Sequence, residues 1–178
     1  QFGTDGVRGV ALTELTTEFA TRLGRAAARV LGADGVTSVV VGGDTRESTE
    51  VLDRALCDGF ALEGLDVVRL GVAPTPQVAF EAQRRGAIGA VVSASHNPWT
   101  DNGIKLFSAT GEKLDDALEL AIEAELDMPS QPVSPRDLGK AARLPDAPGR
   151  YIEFLKSRLD SDLSGLAGLH VVVDAAHG

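Results

Sequence analysis

Short runs of β-branched residues alternate along this chain with longer stretches whose apolar residues recur at helical spacing. That alternation restricts the fold more than any other feature. Val39, Val40 and Val41 end at Gly42-Gly43, Val67 and Val68 lead to Leu70 and Gly71, and Ala87-Ile88-Gly89-Ala90-Val91-Val92-Ser93 is apolar almost throughout. Strands that are apolar on both sides are strands covered on both faces. Phe19, Leu23, Ala26, Ala27 and Val30 share one helical face, with Thr16 placed to cap it, and Val51, Leu52, Ala55, Leu56, Phe60 and Leu62 share a second. The spacing predicts a third helix over about 76–85, after Pro74-Thr75-Pro76, and Leu114, Leu118, Ala121, Ile122 and Leu126 mark a fourth. Ile104 to Phe107 predicts a further strand, entered through Asn102-Gly103. The expected fold class is α/β: a three-layer α/β/α sandwich with helices on both faces of a mainly parallel, mixed sheet.

The pattern breaks at 129–148, where Pro129, Pro132, Pro135, Pro145 and Pro148 fall among short polar residues. This segment reads as a connector. Beyond it, a helix is predicted from about Arg150 to Leu159, and Leu169 to Asp174 reads as a strand. The expected organisation is one α/β domain over 1–128, the connector over 129–148, and the opening of a second, similar domain over 149–178. The first residue is Gln1, so the natural start is expected to lie upstream.

The formal net charge is −9, with no dense basic stripe, which argues against nucleic acid as a partner. Charges interrupt every apolar run before membrane-spanning length, so no membrane partner is expected either. A single cysteine, Cys57, allows no internal disulfide and reads as a small buried hydrophobe on a helix. Together with the lack of a visible signal peptide, it points to a reducing, cytoplasmic location.

Chemistry is most readily placed at Ser93-Ala94-Ser95-His96-Asn97-Pro98, directly after a buried strand, because α/β sheets gather ligands at the carboxyl ends of strands. Ser95 reads either as an exposed hydroxyl on a rigid support or as an ordinary turn serine beside Asn97-Pro98. If the segment is extended, His96 and Ser95 point opposite ways and the histidine is poorly placed as a base. Lys105 can set a positive charge beside a phosphate held at the serine, or it is a solvated strand lysine after an Asn-Gly turn. Phe2 to Gly9 holds three glycines and Arg8, which reads as an anion grip or as a flexible terminal turn. Gly42 to Ser48 ends a strand just before a helix, which suits an anion or simple capping by Thr45 or Ser48. Asp115-Asp116 and Asp160-Ser161-Asp162 read as solvated helix caps, and the common nucleotide-binding, CxxC and HExxH motifs are absent.

Taken in order, FGTDGVRG (2–9), GGDTRES (42–48), VAPTPQVAF (72–80), SASHNPWTDNGIKLFSATGEKL (93–114) and VVVDAAHG (171–178) resemble the α-D-phosphohexomutase superfamily, and within it the bacterial phosphoglucosamine mutases. The resemblance implies a first domain of a four-domain enzyme, with Ser95 as the serine that carries the transferable phosphate. It implies Arg8, Lys105 and His96 as further active-site positions, a phosphosugar substrate, and Mg²⁺ bound by an oxygen of the phosphoserine. The remaining metal ligands would be aspartates of a loop outside this chain, which Asp160-Ser161-Asp162 does not match. The implied reaction interconverts glucosamine 6-phosphate and glucosamine 1-phosphate through a bisphosphate, feeding amino-sugar nucleotide and cell-wall synthesis. The 178 residues alone are expected to be inactive. Other readings are a phosphomannomutase or phosphoglucomutase of the same superfamily, or a non-catalytic phosphate-binding module.

Overall fold

The computed structural model describes residues 6–33, 35–129, 134, 137–159 and 164–174. Its elements are β1 (Val7–Val10), α1 (Thr17–Leu31), β2 (Ser38–Gly43), α2 (Thr49–Leu62), β3 (Asp66–Val72), α3 (Thr75–Arg85), β4 (Ile88–Val92), β5 (Asp101–Phe107), α4 (Asp116–Leu126), β6 (Ala141–Arg143) and α5 (Ala147–Lys156), followed by a short 3₁₀ turn. The strands form one six-stranded sheet in the order β1-β5-β4-β2-β3-β6. β2, β3, β4 and β6 run parallel, and β5 alone is reversed, antiparallel to both β4 and β1. This is the expected α/β/α sandwich with a mainly parallel, mixed sheet.

Helices start where the sequence offers a cap. Thr16 Oγ1 accepts from the Phe19 amide at 3.1 Å, and Asp115 Oδ1 accepts from the Leu118 amide at 2.8 Å, each satisfying an otherwise orphaned N–H of a first turn. The alternation of β2 splits the core: Val39 and Val41 face α1, α2 and α4 with Leu23, Leu52, Leu56 and Phe60, while Val40 faces α3 and α5 with Val78, Val91 and Ala147. Leu52, Leu56 and Phe60 are fully buried, each a gain of about 1.5–3 kcal/mol. α1 and α2 meet through Gly24 and Gly59. A Cβ at Gly24 would stand 2.5 Å from the Leu56 carbonyl oxygen, and one at Gly59 2.3 Å from that of Thr21. Cys57 is buried as expected, and burial pushes its thiol pKa up, keeping it unreactive.

The structure departs from the sequence reading in several places. Val7–Val10, expected as part of a glycine-rich turn, forms an edge strand on β5, with Val7 buried. The connector contains β6, an exposed Ala-Ala-Arg strand that pairs with the β3 edge. Nothing in its side chains favours a strand; it forms because β3 offers unpaired backbone groups. α5 packs on α3. Phe154 stacks on Phe80 with centroids 4.4 Å apart, and Glu81, fully buried, takes ion pairs from Arg85 and Arg150 at 3.2 Å each. Leu169–Asp174 belongs to no helix or strand, and Val171, Val172 and Val173 are exposed, because a β-branched run without a ladder partner has no sheet to join. Phe2 to Asp5, Asp160 to Asp162 and Ala175 to Gly178 lie outside the described residues.

Candidate active site

The chain leaves β2 toward β3 on one side, whereas β4 lies on its other side, so the carboxyl ends of β2 and β4 flank the point where the strand order reverses, the place where sheets of this class gather ligands. The turn after β2 carries Asp44 and Arg46, and the turn after β4 carries Ser93 to Thr100. The second turn is closed at both ends, because the Ser93 amide donates to the Gly103 carbonyl at 2.9 Å, in register with the β4–β5 ladder.

Ser95 sits at the exposed crest of that turn with φ +56°, a left-handed conformation uncommon for any residue but glycine, asparagine or aspartate. Its amide donates to Ser93 Oγ at 3.0 Å. The left-handed bend removes the alternation assumed for an extended segment. Ser95 Oγ and His96 Nδ1 therefore lie 3.4 Å apart, a long hydrogen-bonding distance, rather than on opposite sides. Ser95 is exposed, while Ala94 before it is fully buried.

Arg8 reaches the same turn from β1, its Nη1 donating to Asn97 Oδ1 at 3.1 Å. β1 pairs Arg8 with Gly103, so both residues face the same side of the sheet. A Cβ at Gly103 would lie 3.0 Å from Arg8 Cγ and 2.8 Å from the Ser93 carbonyl oxygen; glycine there leaves the path by which Arg8 crosses β5. Lys105, two residues further along β5, shares that face, and its ammonium lies over the Phe107 ring, 5.4 Å from the centroid. The structure thus brings together Ser95, His96, Asn97 and Arg8. Lys105 stands on the same face, with its head toward Phe107.

Two residues the sequence reading did not single out hold the turn. Asn102, expected in a tight Asn-Gly turn, is a fully buried β5 residue. Its Nδ2 donates to Ser48 Oγ at 2.9 Å and Thr49 Oγ1 at 3.0 Å, and its Oδ1 accepts from the Gly103 amide at 2.8 Å. Ser48 therefore makes no side-chain cap to α2. Thr49 Oγ1 donates in turn to Asp44 Oδ1 at 2.6 Å. Asp44 Oδ2 accepts from Arg46 Nε at 3.0 Å. Burial alone would raise the Asp44 pKa, but hydrogen bonds from Thr49, Ser93 and Arg46 outweigh it and hold the carboxyl below its ordinary value. The remaining Arg46 donors go to the turn. Nη2 reaches the Ser95 and Asn97 carbonyls at 2.9 and 2.8 Å, and Nη1 the Pro98 and Asp101 carbonyls at 2.5 and 3.0 Å. The sequence signal was present in GGDTRES, but an arginine at a strand end reads first as an anion ligand. A recess beside α2 lined by Asp44, Arg46, Glu50 and Asp53 is acidic on balance, and an anionic ligand is not drawn there.

Among the described residues, no group of three or more His, Cys, Asp or Glu can hold a metal ion. No helix among the described residues is long and apolar enough to cross a membrane.

The comparisons with known proteins agree with the fold. The chain is 55% identical over 179 aligned positions to a phosphoglucosamine mutase of Alkalilimnicola ehrlichii, and 52% identical to one of Pseudoalteromonas atlantica, covering 99% of this chain and 40% of each relative. It therefore spans about 40% of the length of these curated relatives. A crystal structure described as a putative phosphomannomutase from Thermus thermophilus superposes with a TM-score of 0.82 at 37% identity, over 97% of this chain and 38% of that one. A phosphoglucomutase/phosphomannomutase family protein from Burkholderia thailandensis gives 0.78 at 28% identity, over 89% and 36%. The model of the phosphoglucomutase/phosphomannomutase alpha/beta/alpha domain I matches residues 1–132, and the chain belongs to that family.

Proposed function

We propose that the full-length protein containing this chain is a phosphoglucosamine mutase, an isomerase that interconverts glucosamine 6-phosphate and glucosamine 1-phosphate, and that Ser95 carries the phosphoryl group. The observation that carries this reading is Ser95 itself: an exposed hydroxyl, bent into a left-handed conformation at the end of a buried strand, in a turn held on both sides. Identity of 55% to a named phosphoglucosamine mutase favours the amino sugar, whereas the structural neighbours named as phosphomannomutases favour related hexose phosphates as the second reading.

In the proposed reaction, a sugar hydroxyl attacks the phosphorus of phosphorylated Ser95. A new P–O bond forms to the sugar, the bond from phosphorus to Oγ breaks, and the hydroxyl proton leaves to a base. The bisphosphate turns around, and Oγ takes the phosphoryl group from the other end, giving the isomeric monophosphate. Catalysis of this kind is mostly positioning and charge compensation. Arg8, bonded to Asn97 of the turn, is the first proposed cation, and Lys105, on the same face of β5, is the second. His96 Nδ1 is placed to exchange a proton with Oγ when Ser95 carries no phosphate. Mg²⁺ bound to a phosphoserine oxygen would supply further charge compensation, with its remaining ligands outside the described residues. The 178 residues alone are proposed to lack turnover, since they span 40% of the relatives. A second domain is proposed to open over 149–178, and the location to be cytoplasmic.

The test is peptide mapping and intact mass of the full-length protein, with assays on glucosamine, mannose and glucose phosphates. Phosphate on Ser95, turnover highest with the glucosamine phosphates, and no turnover by Ser95→Ala are expected. Full activity of Ser95→Ala would overturn the mechanism; a preference for another sugar would move the reading to that enzyme.

A further inference from the structure

Arg46 makes five hydrogen bonds through its guanidinium: one to the Asp44 carboxylate and four to the carbonyls of Ser95, Asn97, Pro98 and Asp101. A guanidinium has five N–H donors in a fixed plane. Every one is committed, so Arg46 has no donor left for a substrate phosphate. Its carboxylate partner is itself fixed by Thr49, which accepts from buried Asn102 in the strand that ends the turn. The four carbonyls therefore close on a cation whose position is set by β2, α2 and β5 together.

We propose that Arg46 is a positioning residue that holds the 95–101 turn in the conformation in which Ser95 transfers its phosphoryl group. The proposal rests on the reading of Ser95 as the phosphate carrier. Ser95 adopts φ +56°, which the residue does not favour on its own, and its carbonyl is one of those Arg46 grips. No peptide bond among the described residues is cis, and a trans peptide sets its C=O and N–H on opposite sides. Anchoring the carbonyls of Ser95 and Pro98 on Arg46 therefore turns the amides of His96 and Trp99 away from the cation. The guanidinium thus fixes both the bend at Ser95 and the direction of the backbone beside it. Placement errors of about 1 Å can cost roughly 100-fold in rate, so a residue with no contact to the reacting atoms can still govern kcat.

The experiment uses the full-length protein with Arg46→Ala and Arg46→Lys, each loaded with phosphate on Ser95 to the wild-type level by intact mass. Three readouts are taken: kcat and KM for the sugar phosphate turned over by the wild type, rescue by free guanidinium below denaturing concentrations, and amide hydrogen exchange of the 93–101 peptide. For Arg46→Ala, kcat should fall about 100-fold with KM changed less than about threefold. Guanidinium should restore about tenfold of that loss, and exchange should quicken at 93–101 while the core strands stay as in the wild type. Arg46→Lys should resemble Arg46→Ala, because an ammonium has three donors where five are used.

Unchanged kcat, or unchanged exchange at 93–101, in a folded variant overturns the proposal. So does a loss of kcat in Arg46→Ala that guanidinium does not relieve. If Arg46→Ala does not fold, Arg46→Lys decides by the same kcat and exchange criteria. A wild-type protein that turns over sugar phosphates without phosphate on Ser95 defeats the functional reading, and that result is distinct from any contrast in exchange at 93–101.

Discussion

Arg8 Nη1 donates to Asn97 Oδ1 at 3.1 Å, joining residues 89 positions apart across the edge of the sheet. The contact spans from β1 over β5 to the turn that follows β4, and it passes the one β5 position, Gly103, that has no side chain to obstruct it. Arg8→Ala in the full-length protein should lower kcat by about 10²–10³-fold, the cost of removing one fixed charge-compensating donor. Steady-state kinetics with the phosphosugar measure it, and Arg8→Lys should recover only part, since an ammonium cannot present a planar fork.

Gly103→Ala tests the passage itself. The new methyl would fall 2.8 Å from the Ser93 carbonyl oxygen and 3.0 Å from Arg8 Cγ and the Val7 carbonyl oxygen. Overpacking of this kind should cost about 1–3 kcal/mol in urea unfolding and also reduce kcat, since two of the three displaced groups belong to the site. Gly149→Ala, on α5 with nothing within 4 Å of the added carbon, should instead gain about 0.5–1 kcal/mol from lost chain entropy.

The α3–α5 contact is anchored by charge. Glu81 is fully buried between Arg85 and Arg150, so Glu81→Ala leaves two arginines without their shared acceptor. Loss of about 1–3 kcal/mol is expected by urea unfolding, the usual cost of removing an acceptor from partly buried charged donors; Arg150 keeps Asp146 as a partner. Replacing Ile152, which is half exposed on α5, with Ala should change stability little by comparison.

Acid should loosen the Ser95 turn before it unfolds the core. The Asp44 carboxyl is held below its ordinary value of 3.8, so in the acid range the unfolded chain binds the proton more readily than the folded one. The contribution of Asp44 is fully present at neutral pH and is lost as pH falls from the ordinary value through the lower, folded one. Hydrogen exchange at 93–101, measured on a descending pH series and corrected for intrinsic rates, should show protection lost over that window, and Asp44→Asn should lose it at every pH.

The helices were legible because their apolar faces and caps are local: Thr16 and Asp115 sit where the first-turn amides need an acceptor, and both are found bonded there. β2 and β4 were legible for the related reason that a strand covered on both faces must be apolar almost throughout, and β3 by its Val67-Val68 pair closed by Gly71. β1 and β6 were not, because an edge strand is defined by what its neighbour leaves unpaired, and Ala141-Ala142-Arg143 has no pattern of its own. The exposed place of Ser95 after a buried strand was legible from the apolar run before it. Asn102 and Arg46 were not: Asn-Gly is a turn signal in the local sequence, and a strand-end arginine an anion signal, until the sheet buries one and surrounds the other with carbonyls.

The reversal of β5 has a consequence for how this site can vary. Because β4 and β5 are antiparallel neighbours, the Ser95 turn is a span with two abutments in the same sheet, and its middle is pinned to Arg46 at four points. A tether of that kind has only one workable length. An extra residue between Ser93 and Asp101 would either slip the carbonyls off their pier or push β5 out of step with β1, carrying Arg8 away with it. Chain-length changes that other surface turns absorb freely have nowhere to go here.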